Sequence, residues 1–434
     1  MCNIVEERSA AVVGSRVMMD IRHRAFLLLA FMIGHASVQP VVGVENAVTE
    51  WNAVTQKIVR LLGVPNQIAA RTYALVHISQ YKALQAAYKA NLSYPEAAAA
   101  YAGHYVLSEL FPTQQSPIFD GFIAKQVLPL KLSVKEDALI CEVAYAYPKS
   151  LLKQRVFDGS QKWAKFVPAR QNGPTGLYQF TPNQTFALYP QLGETKTFVI
   201  KSVEDYDVFG GPPEIPSKEY DHNYNTIREV GDASSQSQTV QEKDTALFWE
   251  DGANTSALSG HLFNVSLAIV GSELSLKQTA KLFATYAIAG YDAQIAIWHQ
   301  KYKYLFWRPI TAVRQGDANH KPYPGYTPVL KTPPHPEYPS GHATIAGAYA
   351  SVVSRFLGKA VSDKAPHGPF QVETESYDLP PRTYETIDGP ATDVQKSRVY
   401  GGVHFPKSCE DGYKIGVKVG NFVWDHFEEI FGKL

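Results

Sequence analysis

Three short cationic segments in the last third of the chain constrain its fold more than any other feature. They read Lys301-Tyr302-Lys303-Tyr304-Leu305-Phe306-Trp307-Arg308-Pro309, Pro339-Ser340-Gly341-His342 and Ser397-Arg398-Val399-Tyr400-Gly401-Gly402-Val403-His404. Lys301, Arg308 and Arg398 bring three positive charges, two of them guanidinium forks that match oxyanion geometry. Ser340 and Gly341 stand where a helix starts, so main-chain N–H groups and the positive helix end face an anion. Gly341 lets the main chain approach closely. Of His342 and His404, one could bond covalently to a central atom and the other could move protons. Each piece alone is ordinary: Arg-Pro marks a helix boundary, and Pro-Ser-Gly a capped turn. Ten specified residues at fixed spacing within each segment, in order, arise by chance well below about one time in a million at residue frequencies of about 5%.

The rest of the chain is read as helical around these segments. From Asn46 to about Gln154 the apolar spacing is helical, with Asn66 as an N-cap and Ser93-Tyr94-Pro95-Glu96 as a capping box opening the Ala-rich run to Phe111. From Phe157 to Glu242 the Pro, Gly, Asn and Tyr content rises and the periodicity is lost, which predicts an irregular insert wrapping over the core. Helices are expected again over Leu258–Val270, Ser275 to about Tyr304, Ala343–Phe356 and Asp411–Phe431. Gly316–Pro339 and Lys359–Gln395 read as loops. No stretch alternates convincingly as a strand, and there is no internal repeat. The expectation is one mostly helical domain over residues 46–434, with the insert at 157–242 and the oxyanion-binding core at 246–434.

Composition narrows the function. Hydrophobic residues make up 45% of the 434 and charged residues 19%, an ordinary globular balance. Lys+Arg 41 against Asp+Glu 41 leaves no net charge, which disfavours a general nucleic-acid binder. Three scattered cysteines, Cys2, Cys141 and Cys409, form neither a disulfide scaffold nor a zinc site, and whether Cys141 and Cys409 pair is open. The run Ala25–Ile33, AFLLLAFMI, is too short to span a bilayer, which takes about 20 apolar residues. With Arg22 and Arg24 before it and Ala36 after, it reads as the core of a signal peptide over residues 1–36, which implies secretion; the alternative is a buried helix. Sequons at Asn91, Asn183, Asn254 and Asn264 agree with export but carry little weight.

The pattern Lys-x6-Arg-Pro, Pro-Ser-Gly-His, Ser-Arg-x5-His resembles the acid phosphatase and vanadium haloperoxidase superfamily over about Lys301 to His404. The context Trp298 to Arg314, together with Phe248-Trp249-Glu250-Asp251-Gly252 upstream, is similar to its soluble vanadium-dependent haloperoxidase branch. The resemblance implies an all-α fold of helical bundles around vanadate, a cofactor with which phosphate competes, and neither haem nor flavin. Lys301, Arg308, Ser340, Gly341 and Arg398 would hold the oxygens, His404 would be the axial ligand to the metal, and His342 the acid–base residue. The implied activity is halide oxidation by hydrogen peroxide to hypohalous acid, with vanadium a Lewis acid of constant oxidation state, Lys301 polarising the peroxide and an organic molecule accepting the halogen.

The rival reading is a secreted acid phosphatase using the same cage, with His404 forming a phosphohistidine and His342 protonating the leaving group. Phosphatase members typically show His-x3-Asp, where this chain has Ser408; the orienting residue is then Asp411 or one distant in sequence. Lys407, next to that position, reads as solvated. A silent oxyanion-binding protein is a third reading, against which the intact cage argues. His335, seven residues before His342, resembles the bromide-oxidising members, a chloride-oxidising type having Phe there, and so favours bromide or iodide; the alternative is a surface histidine. Trp298 could line the same halide pocket. The partners implied are small molecules, and the oligomeric state is open.

Overall fold

The computed structural model describes residues 45–162 and 164–434. The expected leader lies outside them. The helices are α1 (Ala47–Leu61), α2 (Asn66–Lys89), α3 (Pro95–Leu110), α4 (Gly121–Val127), α5 (Val134–Arg155), α6 (Lys218–Val230), α7 (Val240–Phe248), α8 (Ala257–Val270), α9 (Leu276–Tyr304), α10 (Pro309–Gln315), α11 (Gly341–Leu357), α12 (Gly389–Tyr400) and α13 (Pro406–Phe431). Among the described residues the only sheet is the antiparallel pair β1 (Phe370–Val372) and β2 (Arg382–Tyr384). The fold is all-α, as expected, and no described helix is long and apolar enough to cross a membrane.

The longest helix, α9, runs 29 residues and is buried along nearly all of its length. Ser275 starts it with a capping box: its hydroxyl accepts from the Gln278 N–H, and Gln278 Oε1 accepts from the Ser275 N–H at 3.0 Å. Around α9 pack α2, α11 and α13, so its last turn delivers Lys301 into the middle of the bundle rather than to its surface.

Helices α11 and α13 touch main chain to main chain. Gly412, Gly416 and Gly420 recur every fourth residue on α13, and they face Ser340, Thr344 and Ala348, spaced the same way on α11. A Cβ on Gly412 would meet the Ser340 carbonyl at 2.7 Å, and one on Gly416 would overlap that of Thr344. Only glycine permits this approach, and it brings the start of α11 against the start of α13. Those two helix starts carry Ser340-Gly341-His342 and the turn containing His404.

The insert is irregular from 157 to 217, but the periodicity loss expected up to Glu242 is interrupted by α6, which begins at an N-cap, Ser217, accepting from the Tyr220 N–H at 3.0 Å. The buried Asp292 carboxylate of α9 pins the insert by accepting three successive N–H groups, those of Phe198 and Val199 at 2.7 Å and of Ile200 at 3.1 Å. Further on, Tyr178 N–H donates to Leu305 O, Trp307 N–H to Gly176 O, and Tyr302 Oη to Leu188 O. The insert therefore braces the Lys301–Arg308 segment from outside.

Some local readings are corrected. Ser93 does not cap α3; Tyr94 precedes it without a side-chain cap, and Glu96 Oε1 accepts from the Ala47 N–H at 2.8 Å, tying α3 to α1. Asn66 is the first residue of α2 after Pro65, and its side chain reaches across to Leu258 N and Asp251 O. The polar loop expected over Lys359–Gln395 contains β1, β2 and the first turns of α12. Three-residue strands are too short to show alternation. Cys409 is a free, buried thiol, so it does not pair with Cys141.

Candidate active site: a buried cationic cage

All three cationic segments meet. Lys301 is fully buried in the last turn of α9, where its ammonium donates to the carbonyls of Pro336 at 3.2 Å, Glu337 at 2.9 Å and Pro339. Arg308, buried at the start of α10, donates from Nε to His335 O at 2.9 Å and from Nη1 to Val403 O at 2.8 Å. The same Nη1 lies 3.2 Å from His404 Nε2, and Nη2 lies 3.0 Å from His335 Nδ1. Arg398, buried near the end of α12, has Nε and Nη1 without a hydrogen-bond partner.

The anion-facing helix start is present. Ser340 is the N-cap of α11, and its N–H donates to Ser408 O at 2.9 Å. A Cβ added to Gly341 would meet only Trp298 at 3.5 Å and Ile297 at 3.7 Å, ordinary contacts. The protein alone therefore tolerates a side chain at 341. His342, on the first turn, pairs its Nε2 with Glu250 O at 3.0 Å. Since a carbonyl only accepts, Nε2 carries the proton and Nδ1 keeps its lone pair.

His404 is buried with Nδ1 2.8 Å from Glu337 Oε1. An arginine has no acceptor, so the Arg308 contact requires a lone pair on His404 Nε2, and the proton belongs on Nδ1. Burial, then Arg308, Lys301 and Arg398, hold the His404 imidazole well below the ordinary histidine range. Burial and Arg398 do the same to His342. Burial draws Lys301 well down, with Arg308 adding to it, and draws Arg308 and Arg398 down to about 10.

Glu337 is the residue that motif reading missed. It stands two residues after His335, yet its partners are distant in sequence. Its Oε1 also accepts from Phe405 N–H at 3.0 Å, and its Oε2 accepts from Ser408 Oγ at 2.6 Å. Burial pushes its carboxyl up, against the pull of Ser408, Arg308 and Lys301. Asp411 is engaged elsewhere, with Tyr338 Oη at 2.9 Å and Lys407 Nζ at 3.0 Å. Lys407, expected in solvent, is thus ion-paired, with Glu219 as a second partner at 3.6 Å.

His335 is buried rather than on the surface, because Arg308 and Trp298 enclose it; its ring lies 4.9 Å from the Trp298 ring. Trp298 is buried too, its indole N–H without an acceptor, and Lys301 Nζ is 5.7 Å from its centroid. Both halide-pocket candidates thus stand against the cage.

Three like charges meet here, with Glu337 acting on Lys301 and Arg308, and Glu250 and Asp251 on Arg398. Buried charges ordinarily have partners, and two of the Arg398 nitrogens have no hydrogen-bond acceptor in the protein. A tetrahedral oxyanion such as vanadate or phosphate fits that donor set.

Comparison with known proteins agrees. Residues 281–433 match a family model described as the second helical-bundle domain of vanadium chloroperoxidase. The vanadium chloroperoxidase of Curvularia inaequalis is 28% identical over 228 residues, 45% of this chain; the match spans 36% of the length of that relative. Among solved structures, a bacterial vanadium-dependent iodoperoxidase superposes with a TM-score of 0.74 at 20% identity, over 87% of this chain and 95% of the other. A holo-type bacterial vanadium-dependent chloroperoxidase gives 0.63 at 16% identity, over 91% and 95%. These likenesses show a shared fold.

Proposed function

We propose, for a chain that belongs to the vanadium haloperoxidases through the helical bundle at 281–433, that it is a vanadate-dependent peroxidase oxidising halide with hydrogen peroxide to hypohalous acid, with bromide or iodide favoured over chloride. The observation that carries this reading is the buried Arg398 guanidinium with two nitrogens lacking any protein acceptor, beside Lys301 and Arg308.

Arg398, Arg308, Lys301, the Ser340 hydroxyl and the Gly341 N–H would hold the oxyanion, with Arg308 and Lys301 exchanging carbonyl acceptors for anionic ones. His404 Nε2, with its lone pair free of a proton, would ligate the central atom. Bound vanadate would supply a Lewis-acid centre that activates peroxide toward two-electron oxidation of halide. His342 is neutral and, with Nε2–H tied to Glu250 O, offers Nδ1 to take the proton that peroxide gives up on binding and to return one later. His335 and Trp298, packed ring against ring at a tilt beside Lys301, support a halide subsite next to the cage. An organic molecule would accept the halogen, and the leader-like residues 1–36 support secretion.

One observation favours a second reading. Ser408 argued against a phosphatase only while no acid was known to orient His404, and Glu337 supplies that acid. A neutral, carboxylate-backed imidazole serves a phosphohistidine mechanism equally well. Bromination of a phenol-red dye by metal-stripped protein, with peroxide and bromide, separates the two. Activity that requires added orthovanadate and is suppressed by phosphate supports the peroxidase. No bromination or iodination, with vanadate-inhibited hydrolysis of p-nitrophenyl phosphate, would establish the phosphatase instead.

A further inference from the structure

We infer that Glu337, locked by Ser408, is the positioning residue for His404 and sets which imidazole nitrogen faces the cage. The inference rests on reading the cage as an oxyanion site, and it concerns residues well separated along the chain.

The geometry leaves the imidazole one arrangement. On one side Glu337 Oε1 accepts at 2.8 Å from Nδ1; on the other the Arg308 guanidinium, which can only donate, stands 3.2 Å from Nε2. Both contacts demand the proton on Nδ1. The carboxylate itself cannot swing away cheaply. Its two oxygens accept from three donors on or beside the start of α13: the His404 ring, the Phe405 main chain and the Ser408 hydroxyl. Placed there, it also meets the positive end of the 26-residue α13, which favours a negative charge.

Ser408 ties this arrangement to the cage. While its hydroxyl holds Glu337, its carbonyl accepts from the N–H of Ser340, the N-cap of α11. Glu337 in turn lies in the stretch whose carbonyls at 336, 337 and 339 receive the Lys301 ammonium. Imidazole, helix start and lysine are therefore held by one loop and one turn of α13. A carboxylate on Nδ1 also makes Nε2 a better donor to a metal, and losing such a partner typically costs 10–100-fold in affinity.

The test uses the full-length protein labelled with 15N-histidine and stripped of metal. The His404 tautomer is read from its ring-nitrogen shifts, and the affinities for orthovanadate and for inorganic phosphate are measured by equilibrium dialysis. On the peroxidase reading vanadate would bond to Nε2 and resting phosphate would not, so the ratio of the two affinities reports that bond, whereas general loosening of the site lowers both.

Glu337→Ala should give a mixed tautomer and lower the vanadate-to-phosphate ratio by about 10–100-fold. Because Ser408 Oγ is 2.6 Å from the Glu337 carboxylate, the double variant Glu337→Ala/Ser408→Asp returns an acceptor to nearly the same place. It should recover the Nδ1–H tautomer and most of the ratio. Glu337→Gln, which keeps the shape and the acceptor, should hold the tautomer while lowering the ratio part-way; it also carries the test if the alanine variant does not fold. The inference is overturned if the tautomer and ratio of Glu337→Ala match those of the parent, or if the folded double variant recovers neither. A parent protein with no preference for vanadate over phosphate would sink the peroxidase reading instead, and the tautomer alone would then decide the role of Glu337.

Discussion

Arg308 Nη1 lies 3.2 Å from His404 Nε2, and the same Nη1 is held at 2.8 Å by the Val403 carbonyl. The lone pair that a vanadium centre would take is thus occupied by a hydrogen bond from arginine, and binding must exchange one for the other. His404→Ala removes the ligand but leaves the charges. Vanadate affinity and bromination should fall at least about 100-fold, as expected on losing a metal ligand. Phosphate affinity should change by less than about tenfold, a modest effect for one neutral hydrogen bond. Parallel loss of both affinities would show that the imidazole acts only by shaping the cage.

Arg398 gives the clearest stability prediction. A buried cation with two nitrogens lacking acceptors is a cost to the protein without a bound anion, and replacing buried charges by apolar groups of similar volume often stabilises by about 1–4 kcal/mol. Arg398→Met should therefore raise the thermal midpoint of the metal-stripped protein. It should also abolish the further rise that phosphate or vanadate gives the parent, because ligand stabilisation follows affinity. A variant less stable than the parent without any anion would show that Arg398 finds its compensation inside the protein.

Four buried histidines share a pH dependence of one sign, whereas His261, raised beside Asp251, has the opposite one. His342, His404 and His335 are held well below the ordinary value of 6.5, and His77 down to about 3, burial being the leading cause in each. A depressed histidine is neutral in the fold but charged in the unfolded chain below pH 6.5. Its share of stability is complete above that pH and is lost as the pH falls toward the folded-state value, by about 1.4 kcal/mol per unit and per residue. Urea titrations of the metal-stripped protein between pH 6.5 and pH 4 should show stability falling with pH. In His342→Ala the slope should be shallower by about one residue's share; an unchanged slope would mean that His342 is already charged in the fold.

How far the site could be read in advance follows from where its information sits. Lys301, Arg308, Ser340, Gly341, Arg398 and His404 lie within single short segments, each with its own spacing, so their meeting could be expected before any fold was known. The helices were legible where apolar spacing and a local cap coincide, as at Ser275 and Gln278. Glu337 was not, because its three partners lie on another segment and a glutamate in a Pro-rich loop reads as solvated. For the same reason Glu96 was taken for a local cap when it reaches Ala47, and Asp292, accepting three N–H groups from the insert, carries no sequence signal at all. Local grammar shows in sequence; contacts closed by tertiary packing do not.

Halide choice is the most exposed part of the reading. His335 does two things: its ring packs on Trp298 with centroids 4.9 Å apart, and its Nδ1 sits between Arg308 Nη2 at 3.0 Å and the Pro336 carbonyl at 3.1 Å. His335→Phe keeps the first contact and removes the second, freeing one guanidinium donor within the cage. Vanadate affinity should change by less than about tenfold, since a neutral hydrogen bond contributes about 0.5–1.5 kcal/mol net. The relative kcat/KM for bromide, iodide and chloride should shift by more than that, because the residue replaced is a wall of the proposed subsite and loses its one polar group. Kinetics with the three halides at saturating vanadate measure this directly. If the ratios stay put while vanadate affinity collapses, His335 belongs to the cage, and halide selection must be sought elsewhere along the wall that Trp298 begins.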